Sequence, residues 1–355
     1  MKALVLSGGK GTRLRPLTHT MAKQLVPVAN RPILGYVMNH LREAGLEDVG
    51  VIVAPETQKE VQAYLGDGST WDCKITYIVQ HEPLGLAHAV KSARSFLDDH
   101  PFVMYLGDNL LGSVIKDALE RFKKNDCDAL VFLKEVQNPT AFGVAVLDER
   151  GDIKKLIEKP KIPPSNLALV GVYFFSPKIH ESISGIKPSW RGELEITDAI
   201  QGLIDMGAKV QGEILQSWWL DTGKKDDFLA ANTTVLDDYV QRSIRGSLDD
   251  ESTISGRVTI DKGSKIVRSV IRGPVVIGPN VEIVDSFIGP FTSIGQGSSI
   301  IKSSIEHAVI LEGAVIKGIE RLEDSIIGRH TKVVRGINRT VALRLMIGDH
   351  CQVEV

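Results

Sequence analysis

The chain has 355 residues, 43% hydrophobic and 24% charged, enough apolar material for more than one sizeable core and a length that fits two domains. A formal net charge of -2 excludes a strongly basic nucleic-acid polymer binder, although a local basic patch could still hold a phosphate. No apolar run approaches a membrane span, Ala3-Leu4-Val5-Leu6 is too short for a signal core, and Cys73, Cys127 and Cys351 lie far apart without metal spacing, so a soluble cytoplasmic protein is expected.

Up to about residue 125 strand-like and helix-like segments alternate. Lys2 to Ser7 is a short apolar run ending in Gly8-Gly9, the form of a buried strand feeding a loop. Asn30 and Pro32 read as the N-cap and first turn of a helix, with Ile33, Leu34, Val37, Met38 and Leu41 at helical spacing until Gly45. Val49 to Ala54 is the next strand, and Thr57 with Glu60 has the form of a capping box for a helix ending at Gly66. Lys74 to Gln80 reads as a strand, Leu86 to Leu97 as a helix, and Phe102 to Leu106 as a strand ending at Gly107-Asp108. This alternation predicts a mainly parallel, doubly wound α/β sheet.

From about 128 to 223 the pattern changes. Val144 to Leu147 and Ile153 to Ile157 flank Asp148-Glu149-Arg150-Gly151-Asp152, which predicts an antiparallel hairpin laid onto the same sheet. Leu169 to Phe175 is strand-like, and Phe228, Ala231, Val235, Leu236 and Tyr239 keep helical spacing.

After Tyr239 the aromatics nearly vanish, leaving Phe287 and Phe291, and Ile and Val take up a beat of six. Ile260 to Ile266, Ile277 to Ile283, Ile288 to Ile294 to Ile300, Ile310 to Ile316 and Ile327 to Val333 all keep it, and Ile-Gly pairs start at 277, 288, 294 and 327. Ordinary sandwich strands would explain the apolar content but not the repeated six. The beat predicts a parallel β-helix of hexapeptide repeats whose Ile and Val fill a narrow prism, with rungs at 260, 277, 294, 310 and 327. The expected domains are 1–240 and 245–355.

The first strand runs into Gly8-Gly9-Lys10-Gly11-Thr12-Arg13-Leu14. Glycines let backbone N–H groups approach a polyphosphate, and Lys10, Arg13 and Arg15 offer neutralising charge. The spacing fits neither the P-loop nor the dinucleotide fingerprint, and by itself such a loop is more often a tight turn.

The block from Gly8 to Pro16, with Ala22-Lys23-Gln24-Leu25-Val26-Pro27-Val28-Ala29-Asn30-Arg31-Pro32, resembles the start of the sugar-1-phosphate nucleotidyltransferases. Further matching blocks follow in order: Gln80 with Pro83-Leu84-Gly85-Leu86-Ala87, Gly107-Asp108-Asn109, Phe142-Gly143-Val144, Glu158-Lys159-Pro160, Gly171-Val172-Tyr173, Arg191-Gly192-Glu193 and Asp221-Thr222-Gly223. The resemblance covers about residues 1–240. The whole chain looks like the long form, a Rossmann-like nucleotidyltransferase sheet followed by a left-handed parallel β-helix. The Lys23-Gln24 pair resembles the glucose-1-phosphate thymidylyltransferases, where uridylyl enzymes usually carry Lys-Glu and mannose-1-phosphate guanylyl enzymes Pro-Lys-Pro.

What the resemblance implies is transfer of thymidylyl from dTTP to glucose 1-phosphate, with Mg²⁺ held by Asp108 and Asp221. Magnesium needs only one or two carboxylates beside phosphate oxygens and water, although Asp221-Thr222-Gly223 would also make a good turn. By the same resemblance Arg13 and Lys23 neutralise the triphosphate and Lys159 holds the sugar phosphate; as bare residues both lysines could equally be solvated surface groups. Glu158 would accept from sugar hydroxyls, and Gln80 with the Gly85 backbone would read the pyrimidine edge. Gly8, Gly9, Gly11, Thr12, Gln24, Asp108, Asn109, Gly143, Val170, Gly171 and Arg191 complete the implied substrate-binding set. Arg191 could instead be a surface ion pair with Glu193 or Glu195. Uridylyl transfer to glucose 1-phosphate, or nucleotidyl transfer to another sugar 1-phosphate, is the alternative within the family.

Two readings of other classes compete. β-Helices also build acyltransferases, and His307, His330 and His350 are available as bases. A non-catalytic regulatory subunit is the other, against which Arg13, Lys23, Asp108, Lys159 and Asp221 are all present. Coil faces and ends that bury against other copies make a homo-oligomer through the β-helix the expected assembly.

Overall fold

The computed structural model describes residues 1–336 apart from Lys10, Arg150, Gly223 and Lys224, so His350 and Cys351 lie outside the described residues. The described residues form two compact units: one contains the segments Gly11–Thr20 and Val26–Pro32 with the described residues from Thr222 onward, the other the remaining described residues up to Asp221. Among the described residues no helix is long and apolar enough to cross a membrane.

The first unit is built on a mixed, mainly parallel sheet of nine strands. In chain order these include β1 (Lys2–Ser7), β2 (Asp48–Val53), β3 (Lys74–Val79) and β4 (Phe102–Leu106). Helices α1 (Ile33–Glu43), α2 (Gln58–Leu65) and α3 (Leu86–Ser92) intervene. β1 pairs in parallel with both β2 and β4, and β2 with β3, so the carboxyl ends of all four strands share one edge. The apolar runs read from the sequence are buried on both sides, as parallel strands covered by helices require: Ala3, Leu4 and Val5 have no exposed surface.

After β5 (Asn109–Leu111) come β6 (Ala129–Glu135), β7 (Gly143–Leu147), β8 (Ile153–Glu158), β9 (Leu167–Phe175), the helix α4 (Ile196–Asp205), β10 (Val210–Ile214) and β11 (Trp219–Asp221). The expected hairpin is β7–β8, antiparallel, with Gly143 opposite Glu158. β9 runs antiparallel to β4, and its register against β6 shifts between Leu169 and Tyr173. β11 pairs antiparallel with β5 in a separate two-stranded ribbon that sets Asp221 opposite Asn109.

Three local expectations are corrected. Asn30 and Pro32 do not start a helix: Pro27–Val28 and Arg31–Pro32 pair antiparallel, with Ala29 and Asn30 both at positive φ (47° and 62°) in the tight turn. Such a turn needs left-handed residues at both central positions, which Asn tolerates. The Thr57–Glu60 capping box is absent, since the Glu60 carboxylate accepts from the Ala22 N–H (2.8 Å) and Thr57 makes no side-chain cap. The Leu86–Leu97 helix is broken at Ala93 into Leu86–Ser92 and Arg94–Leu97.

In the second unit, strands of two or three residues stack in parallel into three sheets of six, six and four. The rungs fall in register: Ile260 opposes Ile277, Ile277 opposes Ile294, Ile294 opposes Ile310 and Ile310 opposes Ile327. Six residues on, a second stack runs Ile266, Ile283, Ile300, Ile316, Val333, and a third face stacks Ile254, Ile271, Ile288 and Ile305. The beat of six is thus the step from one face to the next, and together the stacks form one buried aliphatic core. At one corner Ser269, Ser286 and Ser303 each donate a hydroxyl within their own coil and accept an N–H from the next, which satisfies backbone that the narrow corner would otherwise orphan. The helix α5 (Lys225–Tyr239) lies against this coil. Its buried Asn232 donates to the Phe291 carbonyl and accepts from Ser293 and from the Ala29 N–H of the 27–32 hairpin.

Candidate active site

The sheet edge collects the residues singled out in the sequence. Register sets Ser7 opposite Val53, Val53 opposite Val79, and Leu6 opposite Leu106. The residues that leave these strands, Gly8, Gln80 and Gly107-Asp108, therefore emerge side by side at the carboxyl edge, where open α/β sheets bind ligands. β9 enters from the opposite direction, and its register shift frees the Gly171 N–H to bond the Asn109 side chain instead of β6.

Two glycines here are demanded by contact. A Cβ on Gly85 would stand 2.4 Å from the Leu194 carbonyl oxygen, and the residue sits at φ 103°. A Cβ on Gly171 would stand 2.5 Å from Asn109 Oδ1.

Around Asp108 the contacts are short and charged. The largely buried Lys23 sets Nζ 2.5 Å from Asp108 Oδ2, and Asn109 Nδ2 donates to Asp108 Oδ1 at 3.0 Å. Asn109 Oδ1 in turn accepts from the Gly171 N–H (3.2 Å) and from Trp219 Nε1 (2.6 Å). The Trp219 ring packs edge-on against Phe142, centroids 5.2 Å apart, next to Gly143. One buried amide thus ties Asp108 to β9 and to the ribbon strand carrying Asp221. That strand sets the Asp221 backbone one register position from Asp108, and carboxylates are the hard oxygen ligands that a magnesium ion favours. Among the described residues no group of three or more His, Cys, Asp or Glu side chains clusters to bind a metal, so other ligands to such an ion would come from phosphate and water.

A second cluster surrounds Glu158. Thr197 donates its hydroxyl to Glu158 Oε2 (3.2 Å), with Lys159 Nζ 3.4 Å and Arg191 Nη1 3.5 Å from Oε1. Burial pushes the Glu158 carboxyl above the ordinary carboxylate range and Glu195 adds to this, while Lys159 pulls it back. Lys159 has φ 41° and donates its N–H to the Phe142 carbonyl, which binds the β7–β8 pair beyond its last rung. Gly143 faces this cluster, its Cβ position 3.2 Å from Glu158 Oε2. Arg191 makes the ion pairs with Glu193 and Glu195, and its guanidinium also reaches Glu158.

The other expected residues are distributed as follows. Gly8 and Gly9 follow the end of β1; Gln24 is buried beside Gly9 and Gly107, with Oε1 unpartnered. Val170 is buried within β9. Gly11, Thr12 and Arg13 belong to the second compact unit, where Gly11 is left-handed (φ 59°) before the short turn Thr12–Leu14 and accepts from the Thr18 hydroxyl. Lys10 and Gly223 lie outside the described residues. Sequence reasoning assigned nothing to Trp219, Thr197 and His88. Trp219 was detectable as the residue two before Asp221, whereas no sequence signal marks Thr197 or His88.

The nucleotidyl transferase family matches residues 2–238. A glucose-1-phosphate thymidylyltransferase of Streptomyces antibioticus is 49% identical over 356 residues, covering 100% of this chain and 99% of that one. The bifunctional protein GlmU of Methanocaldococcus jannaschii is 35% identical over 333 residues, covering 93% of this chain and 78% of that one. Among solved structures, a Bacillus anthracis protein proposed to be a glucose-1-phosphate thymidylyltransferase, in complex with a sucrose, superposes with a TM-score of 0.64 at 33% identity, covering 68% of this chain and 98% of that chain. Matched in the ordered motifs, in the sheet that carries them and along the chain as a whole, this protein belongs to the nucleotidyl transferase family.

Proposed function

We propose that the chain transfers a thymidylyl group from dTTP to glucose 1-phosphate, releasing dTDP-glucose and pyrophosphate. The observation that carries this reading is the row Gly8, Gln80 and Asp108 at one sheet edge, with Lys23 on Asp108 and the Glu158 cluster at the end of β8 in the same sheet. The relative alike over its full length supports the choice of nucleotide and sugar.

In this reading an oxygen of the sugar phosphate attacks the α-phosphorus in line, and the bond to the β-phosphate oxygen breaks. The nucleophile is an anion at neutral pH, so no general base is needed. The protein's work is alignment and neutralisation of phosphates that repel each other. Lys23 bears on the triphosphate, with Arg13 assigned to the same group on the sequence alone. Lys159 bears on the sugar phosphate, Glu158 and the Gly143 and Gly171 backbone on the sugar, and Gln80 with Gly85 on the base. Arg191 is proposed for the sugar phosphate, reached by exchanging a carboxylate partner. Asp108 and Asp221 would hold magnesium, which when bound would add positive charge beside the α-phosphate.

Catalysis is assigned to 1–240, supported by the family match, and assembly into a homo-oligomer in the cytoplasm to the coil at 245–355. Sedimentation that gives a concentration-independent monomer would refute the assembly. His307 is disfavoured as an acyl-transfer base: both its ring nitrogens are engaged, Nδ1 by Asp324 and Nε2 by Thr233.

The test is a grid of nucleoside triphosphates against sugar 1-phosphates with magnesium, scored by pyrophosphate. The greatest turnover is expected with dTTP and glucose 1-phosphate, and UTP as the better nucleotide would move the assignment to uridylyl transfer. Because a methyl group alone distinguishes thymine from uracil, preference on that ground is limited to ~10–200-fold.

A further inference from the structure

Gln80 leaves β3 directly at the site edge, and its amide is held at one end by two partners. Nε2 donates to the Gly85 carbonyl at 3.4 Å and lies 2.8 Å from Nδ1 of the half-buried His88 in α3. A carbonyl oxygen can only accept, so the NH₂ end of Gln80 must face Gly85. Its second hydrogen then points at His88, whose Nδ1 accepts it in the tautomer protonated at Nε2; the Gly85 carbonyl selects the NH₂ end, and His88 holds that end in place with the shorter second bond. Oε1 is thereby left at the opposite end, 3.5 Å from where a Cβ on Gly8 would stand.

The Gly85 end of this arrangement is rigid. The Leu84 carbonyl accepts from the Leu194 N–H (2.7 Å), and the Ala87 N–H donates to the Leu194 carbonyl (3.1 Å). Gly85 itself lies so close to the Leu194 backbone that no side chain fits. The bond from Gln80 to Gly85 is the long one of the pair, so without His88 the amide is held on Gly85 by its weaker bond alone and is freer to turn.

We propose that His88 is a positioning residue that sets nucleotide specificity: it locks the Gln80 amide so that the site presents an acceptor over the glycine turn. A base with a ring N–H on that edge, thymine or uracil, is matched. Cytosine carries a ring acceptor at the same position and is repelled. The inference rests on the proposed function, in which Gln80 meets the base, and it adds the group that fixes which hydrogen-bonding pattern is read.

The test uses the full-length chain and measures kcat/KM for pyrophosphate release with dTTP and with dCTP at saturating glucose 1-phosphate. Wild type is expected to favour dTTP by ~10⁴-fold, the scale at which a site built for one hydrogen-bond pattern rejects another. His88→Leu, which removes the acceptor, should cut that ratio by about tenfold or more, and His88→Asn, whose Oδ1 can replace Nδ1, should restore it to within about threefold. An unchanged ratio in His88→Leu, or equal losses on both nucleotides, would overturn the proposal, because a merely structural role lowers both alike. Should His88→Leu fail to fold, His88→Lys offers only donors and should lower the ratio further by favouring the flipped amide. A wild-type chain without transferase activity would count against the proposed function. Calorimetric binding of dTTP and dCTP to wild type and His88→Leu would then still read the role of His88 separately, with the same loss of preference expected.

Discussion

Replacing Asn109 with alanine would test whether the two proposed metal carboxylates are held by the protein in advance. Its side chain is 3% exposed and makes three bonds, donating to Asp108 and accepting from Gly171 and Trp219. In Asn109→Ala the Gly171 N–H loses its acceptor inside the protein, a cost of about 1–3 kcal/mol, while Trp219 is only partly buried and can recover water. Adding a small cavity gives local destabilisation of about 2–4 kcal/mol. Asp108 loses its Asn109 donor on Oδ1 and keeps Lys23 on Oδ2, so the carboxylate is oriented less tightly. Turnover should fall about 10- to 100-fold with smaller changes in KM, since a misplaced charge mainly weakens transition-state contacts. Asn109→Asp, which keeps an acceptor for Gly171 and Trp219 but sets a second carboxylate against Asp108, should melt closer to wild type yet be at least as slow. The assay is initial pyrophosphate release with each substrate varied, beside a thermal melt. If Asn109→Ala kept wild-type kcat and raised only the KM for glucose 1-phosphate, Asn109 would be a substrate contact and the positioning argument would fail.

Glu158 gives a pH prediction. Its folded carboxyl is raised by burial, so the folded state holds that proton more tightly than the unfolded chain does. The stability this provides is present below the unfolded pKa and is lost as pH rises through the folded one. With Glu158 as the proposed sugar acceptor, binding runs the other way, because its protonated form accepts poorly: KM for glucose 1-phosphate should rise on acidification, and Glu158→Gln should flatten that limb. An unaltered limb in the variant would assign it elsewhere. Gly85→Ala should abolish measurable turnover, since a Cβ there meets the Leu194 carbonyl at 2.4 Å at φ 103°; activity within about threefold of wild type would refute that reading of the loop. In the coil, Ile294→Ala removes a wholly buried side chain between Ile277 and Ile310 and should cost about 2–5 kcal/mol in a denaturation experiment. A cost below about 1 kcal/mol would mean that the rung is not close-packed.

The coil was legible because its rule is arithmetic. One aliphatic per face per turn, with no room for large side chains, leaves a beat that survives in the bare sequence, and the rungs 260, 277, 294, 310 and 327 oppose one another in that order. The sheet edge was legible too, since apolar runs ending in Gly8, Gln80 and Gly107 mark strand ends. What failed were short signals with two physical meanings. Asn followed two residues later by Pro serves a helix start and, as at Asn30, a turn with positive φ. Glu60 had the spacing of a cap partner, but an unpaired N–H at Ala22, far away in sequence, took its carboxylate. His88 and Thr197 were invisible for a related reason: each acts through one side-chain atom on a residue that only the fold brings near, Gln80 in one case and Glu158 in the other.

The measurement that bears most directly on the whole account is a crystal structure of the chain with dTDP-glucose and magnesium. The base should lie against Gln80 over Gly8, the glucose between Gly143 and Glu158, the diphosphate beside Lys23, and the metal on Asp108 and Asp221. Product bound away from this edge, with both aspartates turned from it, would contradict the account.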